Sequence, residues 1–314
     1  MNIPVVDLEH FIKGTPEEQV QFSALLGKAF EEVGFVSVKN HGIPQDLIDD
    51  LYNTVRLFFS LPESDKRSYE IAGLAGQRGY TSFGKEHAKG SDAPDLKEFF
   101  QFGQTVLPEE EAPEFYPSNV SVSEPANFNA LFLDAYRAFE FSGGALLSAI
   151  SIYLDLGAAY FNEHIHLGNS ILRAIHYPPI LQEPRSAIRA EQHEDINLIT
   201  LLVGASADGL EILSKDGNWL PVKAGPGEIV VNVGDMLQRL TNDRLKSTTH
   251  RVVNPPRELW GNSRFSIPFF LHPRSNMSLA CLSSCISPLT PKRYDDYTAG
   301  FYLDERLREI GLKK

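Results

Sequence analysis

Cysteine is almost missing from this chain. Cys281 and Cys285 are the two present in 314 residues, and their spacing is neither a Cys-x-x-Cys redox pair nor a zinc site, which sets aside a disulfide scaffold or a dithiol enzyme. Reduced, structural thiols in a cytoplasmic protein are the expectation. Long apolar runs are missing too. The most apolar stretch, Phe141 to Leu154, contains Ser and Gly and falls short of the roughly 20 residues a membrane span needs, so it reads as a buried helix. Basic runs are also lacking. Lys and Arg number 29 against 41 Asp and Glu, a formal net charge of −12, and no basic stripe is offered to a nucleic-acid backbone. The charge mainly favours solubility. Met1-Asn2-Ile3-Pro4 runs quickly into Asp7 and Glu9 with no basic and apolar leader pattern, so no secretory signal is expected. There is no internal repeat, low-complexity tract or flexible linker.

What is present is enough residues, with ordinary apolar and charged fractions, to bury a full core in one large or two intimately packed domains. Residues 15–33 are expected to be helical. Thr15 is the N-cap, Pro16 takes the first position, Glu18 completes a capping box and Gly34 ends the helix. A second amphipathic helix follows Pro44, with Leu47, Ile48, Leu51, Val55 and Phe58 on one face. Gly73 to Gly90 reads as a loop able to close over a site, and Lys97 to Gly103 as a strand. Helical periodicity returns from about Asn127 to Leu156, with Ser142-Gly143-Gly144 as a kink or close-packing point and Ala158 to His166 as a continuation.

From Ile171 the rhythm changes to short strands. Ile171–Tyr177, Ile196–Val203, Leu210–Leu213, Trp219–Val222, Glu228–Val233, Thr248–Val253 and Arg264–Leu271 are separated by Gly, Pro, Asn and Asp, with Asp216-Gly217 as a hairpin turn. Such a series predicts a mixed α and β chain whose core is a double-sheet jelly roll flanked by helices, able to enclose a site between its sheets.

His193-Glu194-Asp195 is the first candidate for that site. In an extended segment His193 and Asp195 face one point while Glu194 faces away. A third ligand must come from another segment, and His250, among the β-branched residues 247–253, suits a neighbouring strand. Two imidazoles and one carboxylate can occupy one face of an octahedral metal and leave the opposite face open, as non-heme Fe(II) oxygenases require for O2 chemistry. Downstream, Arg264 and Ser266 alternate onto one side of an apolar strand. A guanidinium and a hydroxyl so placed can hold a carboxylate.

In this order, His-x-Asp, distal His and Arg-x-Ser resemble the isopenicillin N synthase-like branch of the Fe(II)/2-oxoglutarate-dependent oxygenases. Ile3 to Leu8, Gly34-Phe35-Val36 and Asn40 to Pro44 resemble that family's N-terminal region, residues 1–120. The remainder, 121–314, resembles its helices and jelly-roll core, the core spanning about 168–273. The resemblance implies that His193, Asp195 and His250 bind Fe(II), and that Arg264 and Ser266 grip 2-oxoglutarate, assisted by Tyr177. Ile175 departs from the asparagine that many relatives place two residues before this tyrosine. The implied reaction oxidises an organic small molecule, by hydroxylation, desaturation or ring closure, with O2 consumed and succinate and CO2 released. Arg78, Tyr80, Phe99 and Phe100 lie in segments resembling the family's pocket wall; Gln192 adjoins the first ligand, and Phe270 follows the Arg-x-Ser pair.

Other polar groups are expected to stay outside the chemistry. His164 and His166 diverge on a helix, His41 is a turn residue, Asp235 caps the helix it opens, and His272 would close the metal site if it were a ligand. Three rival readings use the same residues. An iron oxidase without 2-oxoglutarate would direct Arg264 at its substrate, a zinc hydrolase would need a general base that no motif supplies, and a metal-dependent binding protein would never turn over O2.

Overall fold

In the computed structural model of the chain, the described residues are 3–74, 76–87, 94–107, 109–111, 116–184 and 186–313. The N-terminal part runs β1 (Val5–Asp7), α1 (Glu9–Ile12), α2 (Pro16–Glu32), β2 (Phe35–Lys39), α3 (Gln45–Phe59), α4 (Glu63–Arg67), β3 (Gly79–Thr81) and β4 (Glu98–Gly103). The long α5 (Phe128–Tyr153) and short α6 (Asn162–Ile165) lead into β5 (Ile171–Tyr177), β6 (Ala190–His193), β7 (Ile199–Val203), β8 (Leu210–Leu213), β9 (Trp219–Pro221) and β10 (Ile229–Val233). Then follow α7 (Asp235–Leu240), β11 (His250–Val252), β12 (Arg264–Leu271) and α8 (Ala299–Glu309).

The helix starts follow local chemistry. Glu18 N–H donates to the Thr15 hydroxyl at 3.3 Å while Thr15 N–H donates to the Glu18 carboxylate at 2.7 Å, so α2 opens on the expected capping box. Gly34, at φ +76°, turns the chain into β2. Ser142-Gly143-Gly144 is a close-packing point: a Cβ on Gly143 would fall 2.4 Å from Leu271 Cδ1. Three expectations change. Ala158–His166 does not extend α5 but breaks into turns and α6; residues 79–81 of the expected loop form β3; and the N-cap of α7 is Gly234, because the Asp235 carboxylate accepts from the Tyr302 hydroxyl instead. Ala75 and residues 88–90 of that loop lie outside the described residues.

Two sheets face each other, the jelly roll anticipated. The larger has the order β1-β2-β10-β7-β12-β5-β4-β3, the smaller β6-β11-β8-β9; among the described residues β1–β2 is the one parallel pair. Period-two alternation divides the larger sheet's side chains between two faces. On the outer face Phe100 meets Phe58, Phe128 and Phe132, joining the sheet to α3 and α5. On the inner face Phe99, Ile175 and Tyr177 pack with Ala190 and Val252 of the smaller sheet. Between the sheets, under α8, lies a cavity of about 590 Å³.

Candidate metal centre

Strand pairing brings the two histidines together. His193 ends β6, His250 begins β11, and they are direct partners across the antiparallel ladder, with ring centroids 4.4 Å apart. Asp195 stands two residues past the end of β6. Its Oδ1 lies 3.7 Å from His193 Nε2 and 3.5 Å from His250 Nε2. Among the described residues this is the one group of three such side chains able to share a metal, its donor atoms all within 4.8 Å of one another. His272 lines the same cavity but is not in the group.

The surroundings set which atoms are left to bind. His193 Nδ1 donates to the Glu191 carbonyl at 2.6 Å and His250 Nδ1 to the Thr248 carbonyl at 3.1 Å, so Nε2 is the ring atom each leaves to face a metal. Asp195 Oδ2 accepts from the Thr200 hydroxyl at 2.6 Å and from Asn232 Nδ2 at 2.8 Å, which leaves Oδ1 facing the imidazoles. Asn197 in turn donates to Thr200 at 2.8 Å. Burial, then the charge of His250, brings His193 down to about 4, keeping it neutral. Burial alone would raise Asp195, but His250 and His193 outweigh it and hold the carboxyl well below its usual range. Burial would lower His250, but Asp195 outweighs it and pushes it up, so this imidazole would give up its Nε2 proton to a metal. Two imidazoles and one anionic oxygen, with no further ligand among the described residues, are a donor set that fits ferrous iron.

Arg264 faces Tyr177 in register on β12 and β5, its guanidinium carbon 5.0 Å from the phenol ring, and Ser266 lies two residues on along the same face. Arg264 is 1 % exposed. Its Nε donates to the Ala207 carbonyl at 3.1 Å, whereas Nη1 is buried with no partner among the described residues. A buried cation with an unused donor is a receptor for an anion. Arg189, missed in the sequence, is a second guanidinium 6.0 Å from the Tyr177 ring; burial, then Arg264, pushes it down to about 10.

The expected pocket wall divides. Gln192 and Phe270 line the cavity, and Phe99 lies behind it, beneath the Arg173 guanidinium at 4.2 Å. Arg78, Tyr80 and Phe100 do not line it. Phe100 points to the opposite side of β4 from Phe99, and Tyr80, its partner in register, donates to Glu98, which also pairs with Lys66 at 2.7 Å. Arg78 lies against Tyr116, 5.5 Å from its ring. Sequence reading also missed the charged side of the cavity: Glu86, Asp95, Lys97 and Arg173. Arg173 alternates with Ile175 and Tyr177 on β5, so the already-named tyrosine marked its face. Also missed was α8, whose Tyr302, Leu303, Arg306 and Leu307 reach the cavity. Thr298, its N-cap, was the available signal.

Burial would raise the Glu86 carboxyl, but Arg173 and Lys97 outweigh it and bring it down to about 2. A carboxyl lowered on folding stabilises the fold fully above its unfolded value of 4.5, and that contribution is lost as pH falls towards 2. Wild-type stability is therefore expected to decline across this window by on the order of 3 kcal/mol more than in Glu86→Gln. Equal slopes in acid-melting series would contradict the assignment.

Comparison with known proteins agrees with this site. Residues 168–273 match the 2OG-Fe(II) oxygenase superfamily, and residues 3–124 match the family described as non-haem dioxygenase in morphine synthesis N-terminal. The proline hydroxylase buaE of Petromyces alliaceus is 34% identical, the alignment covering 98% of this chain and 99% of that one. A solved 2OG-Fe(II) oxygenase family protein from Caulobacter crescentus is 40% identical with a TM-score of 0.87, covering 98% and 99% of the two chains. A full-length Neurospora crassa protein solved in complex with alpha-KG and thymine is 28% identical with a TM-score of 0.86, covering 98% and 96%. With an open two-histidine, one-carboxylate centre inside a jelly roll and relatives matched end to end, the chain belongs to the 2OG-Fe(II) oxygenase superfamily and is an oxidoreductase, a dioxygenase that uses Fe(II), 2-oxoglutarate and O2.

Proposed function

We propose that His193, Asp195 and His250 hold the ferrous ion, that Arg264, Ser266 and Tyr177 hold the far carboxylate of 2-oxoglutarate, and that the enzyme hydroxylates an organic small molecule. The observation carrying the co-substrate assignment is the buried Nη1 of Arg264, without a partner among the described residues, in the cavity that the triad also lines. Iron bound there supplies the coupling of O2 reduction to decarboxylation of 2-oxoglutarate, which yields succinate and CO2. The chain itself does the positioning. The Glu191 and Thr248 carbonyls fix both imidazoles, and Thr200 and Asn232 fix the carboxylate. Gln192 and Phe270 are assigned to the substrate's side of the cavity, with Phe99 behind them supporting Arg173. Hydroxylation is favoured over desaturation or ring closure by the name of the 34% identical relative, a proline hydroxylase.

Residues 1–120 and 121–314 act as one unit in this reading, supported by β2 pairing with β10 and β4 with β5. A cytoplasmic location is part of the same proposal, supported by the free thiols of Cys281 and Cys285; no described helix is long and apolar enough to cross a membrane. Anaerobic addition of Fe(II) and then 2-oxoglutarate is expected to raise a visible charge-transfer band, and admission of O2 to release succinate. A protein that consumed O2 without forming succinate would instead be the oxidase.

A further inference from the structure

One side of the cavity carries four charges in balance, two of each sign: Glu86, Asp95 and Lys97 are buried and Arg173 is half-buried. Lys97 Nζ lies 2.6 Å from Glu86 and 2.7 Å from Asp95. Arg173 reaches Glu86 through contacts of 3.3 Å to each carboxylate oxygen, and its Nε donates to Gln101 at 2.9 Å. The Arg173 guanidinium is held over two rings, 4.2 Å from the centroid of Phe99 and 5.1 Å from that of Phe270, so its plane is fixed while, among the described residues, its outer edge meets the loose Glu86 contact. Nearby, His272 lines the cavity with a buried Nδ1 that has no partner among the described residues.

We propose that this wall receives a free amino or imino acid as a zwitterion, its carboxylate on Arg173 and its ammonium on Glu86. The assignment rests on the oxygenase reading above and names the substrate class of the same site. Charge conservation is the argument. Glu86 keeps its 2.6 Å contact to Lys97 with any guest, so an anion alone adds one negative charge to a wall already in balance, and a cation alone adds one positive charge while drawing Glu86 off Arg173; either leaves one charge without a counterpart. A zwitterion inserts between the two and gives each a new partner of opposite sign. The tight Lys97 contacts need not break, so Lys97 and Asp95 serve as the fixed frame. The same frame reaches the metal: Asp95 accepts the Glu191 N–H at 3.0 Å, and the Glu191 carbonyl holds His193. Leu303 and Leu307 of α8 offer an apolar surface for the remainder of the guest.

The test is anaerobic calorimetric titration of the Fe(II)–2-oxoglutarate protein with each of the twenty protein L-amino acids, and with the N-acetyl and carboxamide derivatives of any that bind. The charge-transfer band is monitored alongside. At least one free amino acid is expected to bind and perturb the band, both of its derivatives binding about tenfold to a hundredfold more weakly, the loss of one charge-assisted contact. Arg173→Gln is expected to weaken that amino acid by the same range, and Arg173→Lys, which keeps the charge but not the fork, by less. Retention of the band in each variant shows that the fold and the iron chelate persist. Binding of none of the twenty, equal binding of the blocked derivatives, or wild-type affinity in Arg173→Gln would overturn the proposal. Absence of the band in the wild type would instead remove the reading beneath it, and the proposal with it.

Discussion

Asp195→Ala is expected to lose ferrous iron and all measurable turnover. The two histidines would remain paired across β6 and β11, but their Nε2 atoms would face no anionic oxygen. Losing a hydrogen-bonded neighbour of a metal ligand already weakens metal binding by about 10–100-fold, so losing the ligand should weaken it by a hundredfold or more. Thr200 and Asn232 would also lose their acceptor, with a stability loss of about 1–3 kcal/mol for polar groups left unsatisfied. Asp195→Asn separates these effects, since it retains the side chain's volume and one acceptor oxygen without the charge. Bound iron and O2 uptake, measured on both variants beside their melting curves, check the expectation. Full activity in Asp195→Ala would reject the triad.

Arg264→Ala is expected to bind 2-oxoglutarate about tenfold to a hundredfold more weakly while keeping iron. The range follows from removing one or two charge-assisted hydrogen bonds in a site shielded from water. Arg264 is not in the triad's hydrogen-bond network; its protein partner is the Ala207 carbonyl. The charge-transfer band should therefore reappear at raised 2-oxoglutarate concentration, and the KM for 2-oxoglutarate should rise more than kcat falls. Arg264→Lys is expected to recover part of the loss, because an ammonium supplies charge without a planar pair of donors. An unchanged KM in Arg264→Ala would transfer the co-substrate to another group, with Arg189 the next cation beside Tyr177.

That His193, Asp195 and His250 meet was legible because their spacing coincides with simple strand geometry. His193 and His250 are cross-strand partners, an arrangement that a His-x-Asp triplet and a distant histidine among β-branched residues already foreshadow. Most of the strand series from Ile171 was readable for the same reason, as alternation and turn residues are local signals, but the four-residue β6 was not among the expected strands. Phe99 and Phe100 show where reading by resemblance alone went astray. Neighbours on a strand face opposite ways, so the two could not share one wall, and Tyr80 followed Phe100 into the core through its register. The charged wall was harder to see because its members come from separate places: Glu86 and Asp95 from a stretch with no periodic pattern, Lys97 just before β4, and Arg173 from β5. No local pattern predicts that such residues meet; sheet order does.

Asp95 joins both halves of the site, since one carboxylate oxygen holds Lys97 and the other holds the strand that presents His193. A lineage exploring new chemistry on this scaffold could not exchange that residue without disturbing its oxidant. Arg173, Phe270 and the side chains of α8 have no such double duty, and drift in specificity would accumulate there first.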